Sequence, residues 1–291
     1  MSTQVQPTLH PSLGTVGGLI LSRKGSQRLA NKAWQPLGQT PLLAYTLLAA
    51  SQAHGLTQTM LYTDDEAWQP WVQAFGLSWP SQPRPQSVSH AKASSVATLQ
   101  HWVRQQQATG QALPQWLMLL QPTSPLRCAH HIDEALAILA NALASTPTYD
   151  GVVSVATVTK PLPWLLHQAE ALLKPDPLPL QPLTHLLGEA KLPAQGQTFL
   201  PSGGFYLLKT DAWLALDPTR PLFEQGLRWL PYALPWWATV DVDTPDDLPQ
   251  AEAALFAAQH HYVLSLPWPR QLPPYVQPIL TSKQTRTPLP L

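Results

Sequence analysis

The stretch that decides the fold of this chain spans residues 116–127 and reads WLMLLQPTSPLR. Its first five residues are apolar and predict a buried strand, which opens into a rigid, proline-bearing loop of amide, hydroxyl and guanidinium groups. In open α/β sheets the carboxyl ends of parallel strands form a crevice lined by such loops, and ligands bind there. The loop at residues 121–127 is therefore predicted to form part of a binding site and not part of the hydrophobic core.

Strand and helix patterns alternate on both sides of this stretch. The predicted elements are strands at residues 19–21, 60–63 and 152–153, helices at residues 96–106 and 131–144, and a helix with Pro41 at its first position, capped by Thr40. Strands that alternate with helices imply parallel pairing through right-handed crossovers. We therefore expect an α/β domain.

Three segments depart from this rhythm. Residues 1–15 are polar and lack periodicity, which predicts a disordered N-terminal arm before a domain at residues 16–260. Residues 161–201 carry many prolines, which forbid long ladders or helices and predict an irregular lid or dimer arm. Residues 261–291 are again proline-rich and are predicted to form an appended tail.

Composition excludes several classes of function. Lys plus Arg and Asp plus Glu both number 17, so no global field favours nucleic acid or a membrane surface. The single cysteine, Cys128, cannot form an internal disulfide, and no apolar stretch approaches the ~20 residues of a membrane helix. We expect a soluble, cytoplasmic protein. The adjacent histidines at 130–131 and 260–261 are predicted to be solvated at helix ends, not to bind zinc.

Residues 20–32, ILSRKGSQRLANK, have the groups that a triphosphate needs. Gly25 lacks the Cβ that would block close approach of phosphate to the backbone, and Ser26 offers a hydroxyl. Arg23 and Lys32 supply cations that offset the negative charge. The alternative for this segment alone is a basic surface turn after a strand.

Residues 239–243, TVDVD, predict a strand with both carboxylates on one face, because alternate residues of a strand point the same way. Two oxygen donors, Asp241 and Asp243, suit Mg²⁺, which takes one or two carboxylates plus substrate phosphates. The alternative is a solvated strand end before a capped helix, and we assign Asp246 and Asp247 to that helix.

Taken in order, these segments resemble the acylneuraminate cytidylyltransferases, the CMP-sialic acid synthetases. The similarity also includes residues 151–155 and 202–207, which match inner strands of that family, and it extends to about residue 255. It implies a three-layer nucleotidyltransferase fold of the GT-A-like, sugar-nucleotidyltransferase type, with a mostly parallel sheet and helices on both faces.

The resemblance also implies roles for individual residues. Those expected to hold the triphosphate or act in catalysis are Arg23, Gly25, Ser26, Lys32, Asp241 and Asp243, the last two also binding Mg²⁺. Those expected to read cytosine are Arg84, the backbone at Ala93, and Ser95. Those expected around the acceptor sugar are Gln121, Thr123, Ser124, Arg127, Ser202 and Tyr206. For the cytosine segment alone, the alternative is a loop with a helix cap at Ser94 or Ser95.

The chain departs from the family pattern at several positions. Ala33 replaces an asparagine, Ala91 and Lys92 replace an aspartate, and Ser202 replaces an asparagine. Residues 188–193 contain only Lys191 as a cation where the family has two arginines. These changes leave the acceptor open among sialic, pseudaminic, legionaminic and ketodeoxyoctonic acids.

The sequence therefore predicts a cytidylyltransferase that joins CTP to a nonulosonic-type acid sugar with Mg²⁺, giving a CMP-sugar and pyrophosphate. Residues 161–201 are rich in leucine, so we expect a homodimer built on them, with a lid packed on its own subunit as the alternative. We expect no nucleic-acid or membrane partner. Two other functions stay open: a degenerate homologue that binds nucleotide without turnover, and a metal-dependent glycosyltransferase that uses Asp241 and Asp243. The general base is not assigned.

Overall fold

The computed structural model describes residues 12–80, 82–90, 93–145, 149–159 and 198–258, with the backbone of two short strands inside the last gap. The predicted tail and most of the predicted lid or dimer arm lie outside the described residues. The predicted N-terminal arm is described only from residue 12, where Leu13 is buried and the Thr15 hydroxyl accepts a hydrogen bond from the backbone N–H of Gln115.

A six-stranded sheet forms the centre of the domain. The strands of the chain are β1 (Val16–Leu21), β2 (Pro36–Leu37), β3 (Thr40–Pro41), β4 (Gln58–Tyr62), β5 (Trp116–Leu120), β6 (Gly151–Val158), β7 (Leu166–His167), β8 (Gln181–Pro182), β9 (Thr198–Lys209) and β10 (Trp229–Ala233). The order across the large sheet is β10-β6-β9-β5-β1-β4. All neighbours pair in parallel except β9, which runs antiparallel to both β5 and β6.

Helices cover both faces of this sheet. Their bounds are α1 (Leu42–Gln52), α2 (Gln69–Ala74), α3 (Ser95–Ala108), α4 (Ala129–Ser145), α5 (Thr210–Ala215) and α6 (Asp247–Ala258). One core cluster joins one sheet face to α1, α4 and α6, and a second joins the other face to α3 and α5. Every residue of β5 is buried, as expected for a central strand covered on both sides. The prediction of a mostly parallel α/β sheet between two helical layers is confirmed.

Two local predictions are wrong. Thr40 and Pro41 form β3 and pair with β2, so α1 begins at Leu42 and has no side-chain cap. Residues 239–243 are not a strand. This segment is instead attached by the backbone N–H of Val242, which donates to the carbonyl of Thr123 at 2.7 Å, while the Val242 side chain is buried. Among the described residues, no helix combines the length and apolarity needed to cross a membrane.

A bulge in the β6–β9 pairing shapes the edge of the sheet where the predicted site lies. The register shifts between Val153 and Val155, at the level of Ser154. The Ser154 hydroxyl accepts the backbone N–H of Phe205 at 2.8 Å and the hydroxyl hydrogen of Ser202 at 2.9 Å. Bulges re-aim neighbouring residues, and this one lies beside Gly203 at the mouth of the loop after β5.

Candidate active site

A cavity of about 260 Å³ lies beyond the carboxyl ends of β1 and β5. It gathers residues that the sequence predicted to bind the nucleotide, although they are far apart along the chain. Its lining residues are Leu21, Ser22, Arg23, Ser26, Arg28, Lys32, Ala33, Arg84, Ala93, Ser95, Thr98, Pro122 and Thr123. The position agrees with the expectation that ligands bind where parallel strands end.

Two of the cations that line the cavity contact one carboxylate. Lys32 Nζ lies 2.5 Å from Asp243 Oδ1, and an Arg28 guanidinium nitrogen lies 2.8 Å from Asp243 Oδ2. Arg28 was not singled out from the sequence, although it lies four residues before Lys32 in the same basic segment. Asn31, which precedes Lys32, has a left-handed backbone with φ 50°, a conformation that asparagine tolerates better than most residues. The segment therefore presents three lining cations: Arg23, Arg28 and Lys32.

Gly25 does not line the cavity, unlike Ser26 beside it. A Cβ at Gly25 would meet no atom within 4 Å, so the protein itself does not require glycine there. Its predicted part in phosphate binding stays a prediction.

The residues predicted to read the base, Arg84, Ala93 and Ser95, also line the cavity. Ser94 is the N-cap of α3 and accepts the backbone N–H of Ala97 at 3.1 Å, which leaves the exposed Ser95 hydroxyl outside the cap. The helix cap that the sequence left open between Ser94 and Ser95 is therefore Ser94, and the Ser95 hydroxyl is not used by the cap.

Arg84 is buried and is held by acceptors of the protein. Its guanidinium donates to the carbonyls of Ser22 and Val88 and to the hydroxyl of Thr98. Burial lowers the pKa of Arg84 to about 10, and the positive charge of Arg23 acts in the same direction, whereas Asp64 opposes it. Arg84 is therefore still charged at neutral pH and is fixed in place before any ligand binds.

Asp241 contacts the loop after β5 through Thr123 and Ser124. Its side chain keeps exposed surface, yet surrounding protein atoms desolvate the carboxylate and raise its pKa. The nearby charge of Asp243 raises the pKa further, while a hydrogen bond from Thr123 and the charge of Lys32 lower it. A bound cation would favour the ionised form of both carboxylates. Both groups offer the oxygen donors that a hard divalent cation takes, but they do not share a strand, and the Mg²⁺ site stays a prediction.

Gly203 lies close to the Asp241 carboxylate. Its φ of +77° is a conformation that L side chains rarely adopt, and a Cβ there would lie 2.7 Å from Ser124 Oγ, 2.9 Å from Gln121 Oε1 and 3.6 Å from Asp241 Oδ1. The polar side chains of Ser124, Gln121 and Asp241 thus surround Gly203, which has no side chain. The sequence placed Gly203 in a matching strand but did not assign it a role; a conformation of this kind is visible only in the structure.

Some of the residues predicted to surround the sugar are accessible to solvent, and others are buried. Gln121, Thr123 and Tyr206 keep accessible surface, whereas Ser124 and Ser202 are buried. The Ser124 hydroxyl donates to the carbonyl of Ser202 at 3.1 Å and lies 3.4 Å from Asp241 Oδ1. Burial raises the pKa of Tyr206 to about 12, and the charge of Asp241 adds to this, so the phenol stays protonated.

Arg127 is not at the pocket surface, which corrects its prediction as a substrate contact. The side chain is fully buried, and its guanidinium donates to the carbonyl of Gly204 at 2.6 Å and to that of Gln121 at 2.5 Å. It also donates to the Thr46 hydroxyl at 3.2 Å. Arg127 therefore anchors the loop that carries Gln121. It positions this loop and is not itself a substrate contact.

Replacing Arg127 by methionine is expected to lower the free energy of unfolding by about 3 kcal/mol, because buried carbonyls lose a charged donor. Chemical denaturation measures this. Arg104→Met removes the same group from an exposed position on α3 and is expected to change little. Equal stability of the two variants would contradict the anchoring role.

Comparison with known proteins agrees with this geometry. The sequence model of the cytidylyltransferase family matches residues 18–161. The N-acylneuraminate cytidylyltransferase of Escherichia coli O18:K1:H7 (strain RS218 / NMEC) is 33% identical over 148 residues, which cover 49% of this chain and 32% of that protein. Residues 18–161 of the chain belong to the cytidylyltransferase family. The N-acylneuraminate cytidylyltransferase of Oncorhynchus mykiss is 25% identical over 244 residues, 81% of this chain and 49% of that protein. This cytidylyltransferase-family chain therefore matches half or less of the length of either relative.

Solved structures support the fold of this family member. CMP:2-keto-3-deoxy-manno-octonic acid synthetase, complexed with CTP, superposes with a TM-score of 0.56 at 18% identity, covering 84% of this chain and 99% of that one. 4-Diphosphocytidyl-2C-methyl-D-erythritol synthase superposes with a TM-score of 0.53 at 14% identity, covering 83% and 98%. At these identities the similarity establishes the nucleotidyltransferase α/β fold.

Proposed function

We propose that this protein is an enzyme that transfers the cytidylyl group of CTP to an acid sugar of the nonulosonic type, giving a CMP-sugar and pyrophosphate. One observation carries the proposal. A single cavity is lined by three cations and by Arg84, Ala93 and Ser95, and the Asp243 carboxylate is ion-paired with two of those cations. A nucleoside triphosphate requires cations of this kind for its phosphates.

In the proposed reaction the anomeric hydroxyl of the sugar attacks the α-phosphorus of CTP. A new P–O bond forms to the sugar, the bond to the bridging β-phosphate oxygen breaks, and pyrophosphate leaves with the electron pair. Arg23, Arg28 and Lys32 stabilise the charge that builds on this leaving group, because they line the cavity and donate to anions. The proton of the attacking hydroxyl passes to a base that is not assigned.

Asp241 and Asp243 would hold Mg²⁺, which supplies charge neutralisation and orientation of phosphate oxygens in reactions of this class. Asp241 contacts Thr123, which lines the cavity, and Ser124, which lies beside Gly203. The nucleotide and the acceptor would therefore meet near this carboxylate. Gln121 and Tyr206 would orient the sugar, since both keep accessible surface beside it.

The acceptor class rests on the chemistry of the sugar's own carboxylate. A nonulosonic acid requires a cation there, and Lys191, the candidate from the sequence, lies outside the described residues. We keep sialic, pseudaminic, legionaminic and ketodeoxyoctonic acids as the proposed set.

Pyrophosphate release from CTP and Mg²⁺, measured across these four acids, tests the function. Release that depends on one acid and yields the matching CMP-sugar supports it. Silence across the set with intact CTP binding would favour a homologue that binds nucleotide without turnover. Transfer of a sugar from a nucleotide-sugar donor, without pyrophosphate release, would favour a glycosyltransferase.

We also propose a homodimer, supported by the density of leucines at residues 161–201. Light scattering at micromolar concentration is expected to return twice the chain mass. A monomer mass would contradict the dimer, and a dimer that survives deletion of this stretch would place the interface elsewhere.

Gly203→Ala is expected to raise KM for the acid sugar by about tenfold or more while CTP affinity changes little, because the added Cβ enters the Ser124 and Gln121 cluster and a positive φ costs ~1–2 kcal/mol. Steady-state kinetics with each substrate varied in turn measures the split. Gly226→Ala is the matched control, since φ is +75° there and no atom lies within 4 Å of the new Cβ. The same KM change in both variants would mean that backbone strain, not the cluster, is responsible.

A further inference from the structure

Several buried polar side chains that the proposed reaction does not use are paired within the protein. His131, which the sequence predicted to be solvated, is buried instead, and its Nδ1 accepts the backbone N–H of Cys128 at 3.0 Å. The prediction is therefore wrong for His131. Polar groups that are satisfied in this way give no sign of a ligand.

Ser22 is a buried polar residue of a different kind. It directly follows β1, lines the nucleotide cavity and is only 7% exposed. In the described part of the chain its hydroxyl makes no hydrogen bond, and its oxygen is not sealed from solvent by protein atoms. Because the rest of the residue is buried, this hydroxyl is open to the space in which a nucleotide would lie.

Thr98, the other buried hydroxyl side chain among the described cavity residues, is satisfied by the protein. Its Oγ1 donates to the carbonyl of Ser94 at 3.0 Å and accepts an N–H of the Arg84 guanidinium at 3.2 Å. Thr98 therefore holds Arg84 in place and uses its own donor inside the protein. The Ser22 donor is not used in this way.

The backbone of Ser22 is fixed on both sides. Its N–H donates to the carbonyl of Tyr62 at 3.1 Å, and its carbonyl accepts an N–H from Arg84 Nη1 at 3.1 Å. Ser22 is thereby held next to the guanidinium that is predicted to read the base. A position that is formed before binding lowers the entropy lost when a ligand arrives.

A ligand that fills the cavity removes water from the Ser22 hydroxyl. A hydroxyl buried without a partner is unfavourable, and buried polar groups are almost always hydrogen-bonded. In the described part of the chain nothing supplies that partner. The ligand itself is therefore the source of the missing hydrogen bond.

We propose that the Ser22 hydroxyl binds an oxygen of the cytidine moiety of CTP, either the base carbonyl or the ribose 2′-hydroxyl. This inference rests on the proposed function, because it names a further contact for the same nucleotide. Ser22 is assigned to the cytidine moiety because its carbonyl holds Arg84, whereas the cations Lys32 and Arg28 share the Asp243 carboxylate.

Calorimetry of Ser22→Ala with cytidine, CMP and pyrophosphate tests the inference. The variant is expected to bind cytidine and CMP about tenfold more weakly, since a buried oxygen of the ligand loses its donor. Binding of pyrophosphate is expected to stay unchanged. Tm of the free protein is expected to change little, because no hydrogen bond within the described protein is lost. In steady-state kinetics KM for CTP rises while kcat stays close to wild type.

Ser89→Ala is the matched control. The Ser89 hydroxyl donates to the carbonyl of Pro85 at 3.0 Å in the segment that also holds Arg84, but Ser89 does not line the cavity. Its binding of cytidine and CMP is expected to match wild type. 2′-Deoxy-CMP locates the contact of Ser22. Equal binding of this nucleotide by Ser22→Ala and wild type identifies the ribose 2′-hydroxyl, and a tenfold loss identifies the base carbonyl.

Equal CMP binding by Ser22→Ala and wild type would overturn this inference and leave the proposed function standing. A loss for CMP without a loss for cytidine would assign the hydroxyl to the α-phosphate, and an equal loss in Ser89→Ala would point to a general disturbance around Arg84. Either result overturns the inference. A wild-type chain that binds no CTP with Mg²⁺ would contradict the proposed function, and this inference with it.

Discussion

Asp243→Asn is expected to lower turnover by about 100-fold or more, as removal of a charged group that acts on the transferring phosphates does in comparable sites. Asp243 is ion-paired with both Lys32 and Arg28 and lies close enough to Asp241 to raise the pKa of that carboxyl. Asparagine keeps the shape of the side chain but removes the charge that would hold Mg²⁺. Because two cations are then relieved of a competing carboxylate, CTP binding without Mg²⁺ is expected to stay or to strengthen.

Turnover at varied Mg²⁺ and calorimetry with CTP measure the two effects separately. Asp246→Asn is the matched control, because Asp246 is exposed in the same segment and precedes α6. Asp247 would be a poor control, since its carboxylate accepts the backbone N–H groups of Asp243 and Thr244 and so shapes the loop. If Asp243→Asn keeps wild-type rates at limiting Mg²⁺, the assignment of this carboxylate to the metal is wrong.

The alternation of strand and helix patterns was sufficient to predict the layers of this fold, but not the direction of every strand. The expected sheet was mostly parallel, but the sequence did not indicate which strand is the exception, and β9 runs antiparallel to both neighbours. A strand buried on both faces reads as an apolar run in either direction. Direction depends on the connection before it, and the proline-rich residues 160–197 carry no helical period that would predict a crossover.

The Asp241 and Asp243 segment shows a second limit of sequence patterns. Alternating valine and aspartate predicted a strand, and the structure keeps the alternation of buried Val242 with accessible aspartates. Among the described residues, the backbone N–H of Val242 joins this segment to the carbonyl of Thr123, and no sheet ladder includes it. The alternation of apolar and polar residues shows which side chains are buried. An extended segment outside any sheet gives the same pattern as a strand that is hydrogen-bonded into a sheet.

Burial of polar groups was the least predictable part of the site. The loop at residues 121–127 offered a guanidinium, and a surface role was the simplest expectation. Arg127 is buried because Thr46 and Gly204, which are 81 and 77 residues away along the chain, supply its acceptors. No local pattern encodes such distant partners. Arg28, in contrast, was detectable, since it lies one helical-turn spacing before Lys32 in a basic segment.

Lys32→Met is expected to weaken CTP binding by about 10- to 100-fold, the range that corresponds to one charge-assisted hydrogen bond of ~1.5–3 kcal/mol, and to change CMP binding little. CMP lacks the β- and γ-phosphates, and Lys32 lines the cavity beside Arg28, with which it shares the Asp243 carboxylate. Arg23→Gln and Arg28→Gln are expected to show the same preference. The effect of Arg28 is expected to be smaller because its side chain is 66% exposed and more strongly screened.

Calorimetry with CTP and CMP, each with Mg²⁺, measures this discrimination. Lys24→Met removes the same charge from the same segment, but Lys24 does not line the cavity, so it is the matched control and is expected to leave the ratio of the two affinities unchanged. Equal losses for CTP and CMP in Lys32→Met would point to general destabilisation of the segment. An equal change of the ratio in Lys24→Met would mean that the overall charge of the segment, and not the position of Lys32, selects the triphosphate.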